Sequence, residues 1–478
     1  MATSSTPRRI LIVYTGSRGD WQPYVVAGTI LREAGYEVHL CGPGDAAGMA
    51  ADHDLPFQRV RQSILRNWPD KFSDAISHEK MPTVPVRSDR DEMIAERKAL
   101  YDLFSTFKPE LVLTAFMTLI EVSIFSEIFD DIPFVNFALQ TPAGRDWNMA
   151  SINLPRLLKP LNWQLNMFMM SMILKMQRKE LDCIPEVLPP ELRKSMPKKI
   201  TTQPWLEHWS EQAVFPNLVA QSTVINGDDW GKHYKTVVSL GPLMLAPSSQ
   251  SGHEFGSDQM QQMEDFLAQG DAPVYIGFGS MKVFTPKYMT LLCARALHLT
   301  GLRGVICAGW AGIDLQHVEG EADELELTEY INRNVLFMPK SPHGLLFPRC
   351  QAIVHHGGAG TMNASVRSGK PTIIIPILLD QYDHSRKINE MGIGKGLKHL
   401  RHQTPSTIAA AINECINSQS IRTKAEEVGS AMRREEEQAP VKLTQFIQDY
   451  FRDYVDGGRF KSIMRDARER RAQQCCKC

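Results

Sequence analysis

The stretch IVHHGGAGTMNASVRSGKPTIIIPILLDQYDH, residues 353–384, decides the fold that the sequence predicts. It starts with a short apolar run that is typical of a buried strand and that ends at His355 and His356. Glycines follow, and the pattern predicts a helix over residues 360–369 before a second apolar strand over 372–376. A strand, a turn, a helix and another strand form the repeating unit of a parallel α/β sheet.

Apolar runs of this kind alternate with longer amphipathic stretches along the chain. Short apolar strands joined by helices predict parallel sheets with right-handed crossover connections. We therefore predict an α/β protein with two Rossmann-like domains, each a doubly wound parallel sheet. The predicted strands are residues 10–14, 37–40, 111–114, 134–137 and 218–224 in the first half, and 274–278, 304–307, 334–338, 352–355 and 372–376 in the second.

The boundary between the two domains is predicted at LAPSSQSGHEFGSDQ, residues 245–259, which is rich in Pro, Ser and Gly and reads as a linker. It separates a first domain, 1–244, from a second, 260–440. Residues 441–456 have the apolar spacing of a final helix, and 457–478 form a basic tail that ends in cysteines. Two open α/β domains joined in this way enclose a cleft at the carboxyl ends of their strands, where such sheets bind ligands.

The composition excludes several other classes of protein. A formal net charge of −1 gives no reason to expect a nucleic-acid partner. The six cysteines that precede the terminal cluster include no C-x-x-C pair, so neither a zinc site nor a disulfide framework is indicated. No uncharged apolar stretch reaches the ~18 residues of a membrane span, and the first strand leaves no room for a signal peptide. The expectation is a cytoplasmic protein with reduced thiols.

The glycine-rich turn after His356 has the features of a phosphate site. A helix that begins in glycines presents free backbone amides and its positive dipole end to an anion. Thr361 can add a hydroxyl and His356 an imidazole, while Asp380 and Gln381 on the next loop offer acceptors and donors to a polyhydroxylated ligand. The combination suggests a sugar nucleotide, although glycines after a strand are also typical of a simple tight turn.

A metal site is the sharper alternative at the same place. His355, His356, Asp380, Asp383 and His384 are all of ligand type. Their spacing matches no common metal motif, and neighbouring residues on a strand point to opposite faces. The sequence therefore predicts no metal.

The first loop, YTGSRGDWQP at residues 14–23, places two charges directly after a buried strand. An unpaired carboxylate in the core is costly, so Asp20 must face solvent or a ligand. Asp20 is close to the start of a predicted helix, where it can act as a cap. Arg18 is predicted to be a loop residue or an interdomain anchor.

These blocks resemble the inverting UDP-glycosyltransferases of the two-domain GT-B fold, in particular the sterol glucosyltransferase and natural-product glycosyltransferase branch. GSRGDWQP is similar to the first loop of that branch, with Trp21 where valine is usual. SPHGLLFPRCQAIVHHGGAGT is similar to its donor motif, with Gly344 and Leu345 where Asp-Trp is usual. The resemblance extends to about residue 455.

The resemblance implies a role for each matching donor-site residue. His356 would touch the diphosphate, and Tyr382-Asp383-His384 stand where Pro-Phe-Trp is frequent, which leaves the sugar open. The other implied contacts are Ser280, Gly358, Gly360 and Thr361 at the diphosphate, Phe337 or Met338 and Trp310 at the uracil, and Asp380 and Gln381 at the sugar hydroxyls.

The resemblance also implies the reaction. Asp20 would be the general base that takes a proton from an acceptor hydroxyl, and a hexose, glucose from UDP-glucose in the first instance, would be transferred with inversion. UDP-sugar is then a co-substrate, and no cofactor is expected. The alternatives are another nucleotide sugar, a nucleotide-sugar epimerase of the same fold, or an inactive nucleotide-binding scaffold.

The acceptor side is weakly specified. LNWQLNMFMMSMILKM, residues 161–176, carries five methionines and reads as a half-buried helix, as an apolar wall for a lipophilic alcohol, or as a shallow membrane contact. Candidate acceptor residues are Trp147, Met167, Met170 and Trp205. The tail after Gly457, with seven Lys or Arg against two Asp or Glu, is predicted to be disordered or lipidated at its cysteines, with peripheral membrane contact.

Overall fold

The strands of the protein form two parallel sheets, one in each half of the chain. The computed structural model describes residues 6–61, 70–78, 89–139, 161–210, 213–226, 235–246, 255–279, 281–309, 312–378 and 380–475. The first sheet contains β1 (Arg9–Val13), β2 (Glu37–Pro43), β3 (Phe57–Arg61), β4 (Leu111–Thr114), β5 (Phe134–Ala138), β6 (Asn217–Val219) and β7 (Val237–Ser239). The second contains β8 (Val274–Gly277), β9 (Gly304–Cys307), β10 (Val335–Met338), β11 (Ala352–His355), β12 (Thr372–Ile374) and β13 (Gly394–Gly396).

Helices connect the strands and cover both faces of each sheet. Those of the first half are α1 (Arg18–Glu33), α2 (Ala47–Asp52), α3 (Asp70–Ser77), α4 (Arg90–Thr106), α5 (Leu119–Ile128), α6 (Asn162–Leu181), α7 (Ile184–Val187), α8 (Pro190–Arg193), α9 (Gln203–His208) and α10 (Thr223–Asn226). Those that follow are α11 (Ser257–Ala268), α12 (Pro286–Thr300), α13 (Glu324–Asn334), α14 (His343–Leu346), α15 (Ala359–Arg367), α16 (Gln381–Met391), α17 (Pro405–Asn417), α18 (Gln419–Tyr450) and α19 (Arg459–Cys475).

Each sheet reverses its winding at one point, and the predicted fold class is confirmed. The strand order is β3-β2-β1-β4-β5-β6-β7 in the first sheet and β10-β9-β8-β11-β12-β13 in the second. The order therefore switches between β1 and β4 and between β8 and β11, and ligands of open α/β sheets bind outside the carboxyl ends of the strands at such points. Asp20 lies in the first turn of α1, which follows β1, and His356 lies in the loop after β11.

The strand predictions differ from the structure at a few places. The strands β3, β7 and β13 are not in the predicted set. The run predicted over 218–224 ends as a strand at Val219, because the chain turns into α10 four residues later. Residues at the edge of a sheet need less apolar surface, so short or charged edge strands leave a weak pattern.

Helix α18 packs against both domains. In its first part, Val428 and Met432 contact the apolar cluster behind β12. In its last part, Leu443 and Ile447 belong to the core of the first sheet, and the Tyr450 hydroxyl donates to the Phe134 carbonyl at 3.1 Å. The two sheets are therefore tied together by one helix as well as by the linker.

The basic tail is ordered over most of its length, so the expectation of a disordered tail is wrong for α19. Phe460 and Met464 are buried in the first-domain core. The Lys461 ammonium lies 2.5 Å from Asp130, and Arg468 pairs with Asp131. The last three residues, including the Cys-Lys-Cys end, lie outside the described residues, so lipidation stays a prediction.

Helix α6 carries apolar side chains on its buried face and also on its exposed face. Met170 and Ile173 pack into the first-domain core. Phe168 is 60% exposed and Met172 36% exposed on the other side. Across the described part of the chain, no helix combines the length and the apolar character that a membrane span requires.

Candidate functional site

The loops that follow β1 and β11 meet across the cleft between the domains. The contact is made by Gly19, in the first turn of α1, and Gly360, in the first turn of α15. A Cβ atom placed on Gly360 would lie 2.7 Å from Gly19 Cα and 3.0 Å from Gly19 O. Such distances do not occur between a real Cβ and backbone, so the close approach of the two helix starts requires glycine at position 360.

Asp20 lies directly beside this contact and is held by its own turn. Its Oδ2 accepts hydrogen bonds from Ser17 N at 2.7 Å and Ser17 Oγ at 2.9 Å. These bonds make Asp20 a cap of the start of α1, which was the structural alternative for this residue. Both bonds end on Oδ2, and Oδ1 makes no hydrogen bond within the described part of the chain. Capping therefore leaves one carboxylate oxygen for a ligand.

The carboxylate of Asp20 is electrostatically coupled to that of Asp380, in the second domain. Burial raises the pKa of Asp20, against the hydrogen bonds from Ser17, which lower it. Burial also raises the pKa of Asp380, with the charge of Asp20 acting in the same direction and His384 acting against it. The charge of Asp20 in the first domain thus raises the pKa of a carboxyl in the second domain, which places the two acids within electrostatic range of each other.

His356 lies at the base of the glycine turn, nine-tenths buried. Its ring is packed so closely that a Cβ on Gly358 would sit 2.5 Å from Nε2 and one on Gly279 would sit 2.9 Å from Cε1. Burial, with a smaller contribution from His384, lowers the pKa of His356 to about 4. The imidazole is therefore neutral at pH 7, and its buried Nδ1 has no partner among the described residues. An unpaired buried nitrogen here fits a polar ligand at the turn.

The glycine turn leads into α15 as the sequence predicts. Gly358 is the N-cap of the helix, and Thr361, in its first turn, is half-buried. Gly357 has a φ of +91°, and a Cβ there would lie 2.8 Å from Ile374 Cγ2, so glycine is required. The free amides of this first turn and the dipole of α15 point to one anion site.

Gln381 has a structural contact that the sequence did not reveal. Its Oε1 accepts hydrogen bonds from Ile377 N at 2.8 Å and Leu378 N at 3.0 Å, which shapes the loop after β12. The side chain is 6% exposed. Only the Nε2 end remains for a sugar hydroxyl, whereas Asp380 next to it is half-buried.

Several other predicted site residues are placed differently from the expectation. Met338 is 2% exposed and packed in the core under β9 and β11, so its side chain does not flank a base here, and Phe337 is half-buried against a second apolar cluster. Ser280, Trp310 and Trp147 lie outside the described residues.

The acceptor candidates of the first domain are mostly core residues. Met170 and Trp205 are fully buried, so their predicted contact with an acceptor is wrong in this structure, and Met167 is half-buried. Trp205 instead supports Phe116: its Nε1 donates to the Phe116 carbonyl at 2.9 Å, and its ring stacks on Phe116 with centroids 5.1 Å apart. Phe116, at the carboxyl end of β4, went unnoticed in the sequence, although a Phe-Met pair directly after a strand was a usable signal.

Arg18 connects the two domains near the same cleft. Its guanidinium lies 4.7 Å from the centroid of the Phe255 ring, near the end of the predicted linker. Its positive charge adds to the burial that lowers the pKa of His343 to about 3. The interpretation of Arg18 as an interdomain anchor agrees with these contacts.

Comparison with known proteins supports the architecture and the motif together. The family model described as the erythromycin biosynthesis protein CIII-like C-terminal domain matches residues 311–445. Two solved structures, the glycotransferase of kitacinnamycin and the calicheamicin glycosyltransferase CalG4, align with TM-scores of 0.60 and 0.59 at 17% and 14% identity. The alignments cover 93% and 94% of this chain and 98% and 99% of theirs. At such identity they establish the fold, which is that of the GT-B glycosyltransferases.

Curated relatives are similar to part of the chain. A sterol 3-beta-glucosyltransferase of Arabidopsis thaliana is 34% identical over 208 residues, 44% of this chain and 29% of that protein. One of Komagataella phaffii is 35% identical over 176 residues, 37% of this chain and 14% of that protein. The matched region thus spans less than a third of either relative. Over these parts of its length the chain is therefore similar to sterol 3-beta-glucosyltransferases, and its second half matches the erythromycin biosynthesis protein CIII-like C-terminal domain.

Proposed function

We propose that the protein is an inverting, metal-independent glycosyltransferase that moves glucose from UDP-glucose to a hydroxyl of a lipophilic small molecule such as a sterol, terpenoid or polyketide. The observation that carries the proposal is the contact between Gly19 and Gly360. It brings the Asp20 carboxylate of one domain beside the glycine turn of the other. A proton acceptor and an anion site on opposite walls of one cleft are what the transfer requires.

The donor diphosphate is proposed to bind at the start of α15. The free amides after Gly358 and the positive end of the helix dipole favour an anion, and Thr361 adds a hydroxyl. His356 contributes a neutral imidazole, since burial keeps its pKa at about 4. It therefore acts as a hydrogen-bond donor to the leaving phosphate and supplies no permanent charge.

The proposed reaction is a single displacement. The acceptor hydroxyl gives its proton to Asp20 while its oxygen forms a bond to the anomeric carbon of the sugar. The bond from that carbon to the diphosphate oxygen breaks, and its electron pair leaves with UDP. Attack from the face opposite the leaving group inverts the anomeric centre.

The pKa of Asp20 bears on how the rate is achieved. Burial raises this pKa, which makes the carboxylate a better base than an exposed aspartate, but it remains weak against an alcohol. Proton transfer is then late and concerted with bond formation. Positioning of the acceptor and stabilisation of the departing UDP must supply most of the rate.

The lipophilic acceptor is supported by apolar side chains on the first-domain wall. Phe116 and Met117 follow β4, which is the neighbour of β1 in the sheet, and both are half-buried. Helix α6 is tied to this turn, because Gln177 Nε2 donates to the Met117 carbonyl at 2.8 Å. The exposed Phe168 and Met172 of α6 extend the apolar surface.

A UDP-release assay tests the proposal, with several UDP-sugars against sterol, terpenoid and phenolic alcohols. Release that requires both UDP-glucose and a lipophilic alcohol is the expected result. Release only with a different sugar nucleotide would show that this nucleotide, and not UDP-glucose, is the donor. Sugar interconversion without an alcohol would indicate an epimerase. Binding of UDP without turnover across the whole panel would indicate a scaffold and overturn the assignment as an enzyme.

A further inference from the structure

Gly357, the first residue of the glycine turn, is held on both of its backbone groups by buried histidines. Its N–H donates to His355 Nδ1 at 3.0 Å, and its carbonyl accepts from His384 Nδ1 at 2.6 Å. His355 precedes it on β11, whereas His384 reaches it from α16. Because Gly357 also has a φ of +91° and no room for a Cβ, its position is fixed from every side.

The two contacts fix opposite tautomers. An N–H can only donate, so the Nδ1 of His355 must accept, and the ring proton of this histidine lies on Nε2. Burial lowers the pKa of His355 well below its ordinary value, so the ring stays neutral and Nδ1 remains an acceptor. A carbonyl oxygen can only accept, so the Nδ1 of His384 must carry a proton. The two histidines therefore allow only one orientation of Gly357, with its N–H toward His355 and its carbonyl toward His384.

The hydrogen bond from His384 to the Gly357 carbonyl determines the direction of the Gly358 N–H. The peptide between Gly357 and Gly358 is planar and trans, so its C=O and N–H point in opposite directions. With the oxygen of Gly357 bonded to His384, the N–H of Gly358 is directed away from α16. Within the described residues no hydrogen bond is seen from this N–H, and Gly358 itself is the N-cap of α15 and lies next to the ring of His356.

We propose that His384 is a positioning residue for donor binding, which acts through the Gly357 carbonyl to aim the Gly358 amide at the donor diphosphate. The same Nδ1 lies 4.0 Å from Asp380 Oδ2, so the histidine joins the glycine turn to the loop assigned to the hexose. The inference rests on the proposed function, since it requires a nucleotide diphosphate at the turn. The sequence suggested this residue as a metal ligand and as part of a departure from the donor motif, and gave it no role in binding the diphosphate.

The test compares two substitutions in the full-length protein, His384→Asn and His384→Gln, whose side-chain amides extend to different distances from the backbone. The affinity for UDP is measured for each variant. In His384→Asn the amide nitrogen takes the place of Nδ1 and keeps the bond to Gly357, whereas in His384→Gln it takes the place of Nε2 and loses it. We expect His384→Gln to raise the dissociation constant of UDP on the order of tenfold. His384→Asn should restore most of that affinity.

The neighbour Ser385 provides a matched control. It is also buried on α16 and also donates to a backbone carbonyl, that of Leu397 at 3.0 Å, but away from the turn. Ser385→Ala should lower the unfolding temperature and leave UDP affinity unchanged. Equal loss of UDP affinity in the Asn and Gln variants, or in Ser385→Ala, would overturn the positioning role, as would wild-type affinity in His384→Gln. Failure of the wild-type protein to bind UDP would instead overturn the proposed function.

Discussion

The backbone of Gly360 lies against the backbone of Gly19 in the opposite domain, and the contact is asymmetric. A Cβ on Gly360 would lie 2.7 Å from Gly19 Cα, but a Cβ on Gly19 would lie 3.5 Å from Gly360 Cα, an ordinary distance. The two glycines look equivalent in the sequence, yet only one of them has no space for a methyl group. This asymmetry makes the closure of the cleft directly testable.

Gly360→Ala should hold the two domains apart. Because the added methyl group meets backbone that cannot rotate away, we expect kcat/KM to fall by roughly 10- to 100-fold. Alanine is a better helix former than glycine, so the unfolding temperature should not fall with it. Steady-state kinetics and thermal unfolding measure the two effects. Gly19→Ala is the matched control and should show a much smaller loss; equal losses would contradict the geometry.

Phe116→Ala should weaken the binding of the acceptor. The half-buried ring, at the carboxyl end of β4, packs against two tryptophans, with centroid distances of 5.1 Å to Trp205 and 4.0 Å to Trp209. Loss of this apolar surface should raise the acceptor KM by roughly tenfold while the UDP dissociation constant stays the same. Phe129→Ala, a half-buried phenylalanine at the far end of α5, controls for lost stability. A normal acceptor KM in Phe116→Ala would exclude Phe116 from the acceptor site.

His208→Phe should stabilise the protein in mild acid. The imidazole is fully enclosed between Phe134 and Phe215, with ring centroids 4.2 Å away on each side, and neither nitrogen has a partner among the described residues. Burial lowers its pKa to about 3. Below the ordinary histidine pKa of about 6.5, the unfolded state therefore binds a proton at His208 that the folded state does not bind. The free energy of unfolding decreases as the pH falls below that value.

The size of that effect follows from the linkage. The free energy of unfolding should fall by up to about 1.4 kcal/mol for each pH unit between 6.5 and 4 through this one group. Denaturant unfolding of both proteins at pH 7 and pH 5 measures the difference. The phenylalanine variant keeps the stacked ring and lacks the proton site, so its stability should change less with pH. Parallel pH curves would show that His208 accepts a proton in the folded state.

A chelator should leave turnover unchanged. Two of the histidines that the sequence offers as metal ligands already use Nδ1 on Gly357. In the part of the chain that the structure describes, no group of three or more His, Cys, Asp or Glu side chains is arranged to hold a metal ion. Activity before and after EDTA treatment is the measurement. Inhibition that added metal reverses would restore the histidine-metal hypothesis.

The sequence predicts the parts of this site that follow directly from a strand. Continuous apolar runs mark β1 and β11, and the residues just after them, Asp20 and His356, are placed at the switch points by the topology alone. The helix start at residue 359 is also within one residue of its predicted place. Local pattern and global topology agree here, which is why the motif could be interpreted.

The parts that the sequence does not predict depend on packing. Strand β13 reads Gly-Lys-Gly and has no apolar signature; a Cβ on Gly394 would lie 1.8 Å from Thr372 O, so backbone proximity to β12 defines it. The sequence does not distinguish a tryptophan that lines a ligand site from one that, like Trp205, supports Phe116 from the core. The hydrogen bonds that the Oε1 of Gln381 accepts from loop amides depend on the folded loop and leave no pattern in the sequence.

The most direct measurement of the central claim is the turnover of Asp20→Asn with UDP affinity determined beside it. Asparagine keeps an oxygen for the hydrogen bonds from Ser17, so the start of α1 is retained while the proton acceptor is lost. The account predicts that kcat falls by about 10²- to 10⁴-fold and that UDP binds as it does to the wild-type protein. Turnover at the wild-type rate, or an equal loss of UDP binding, would contradict it.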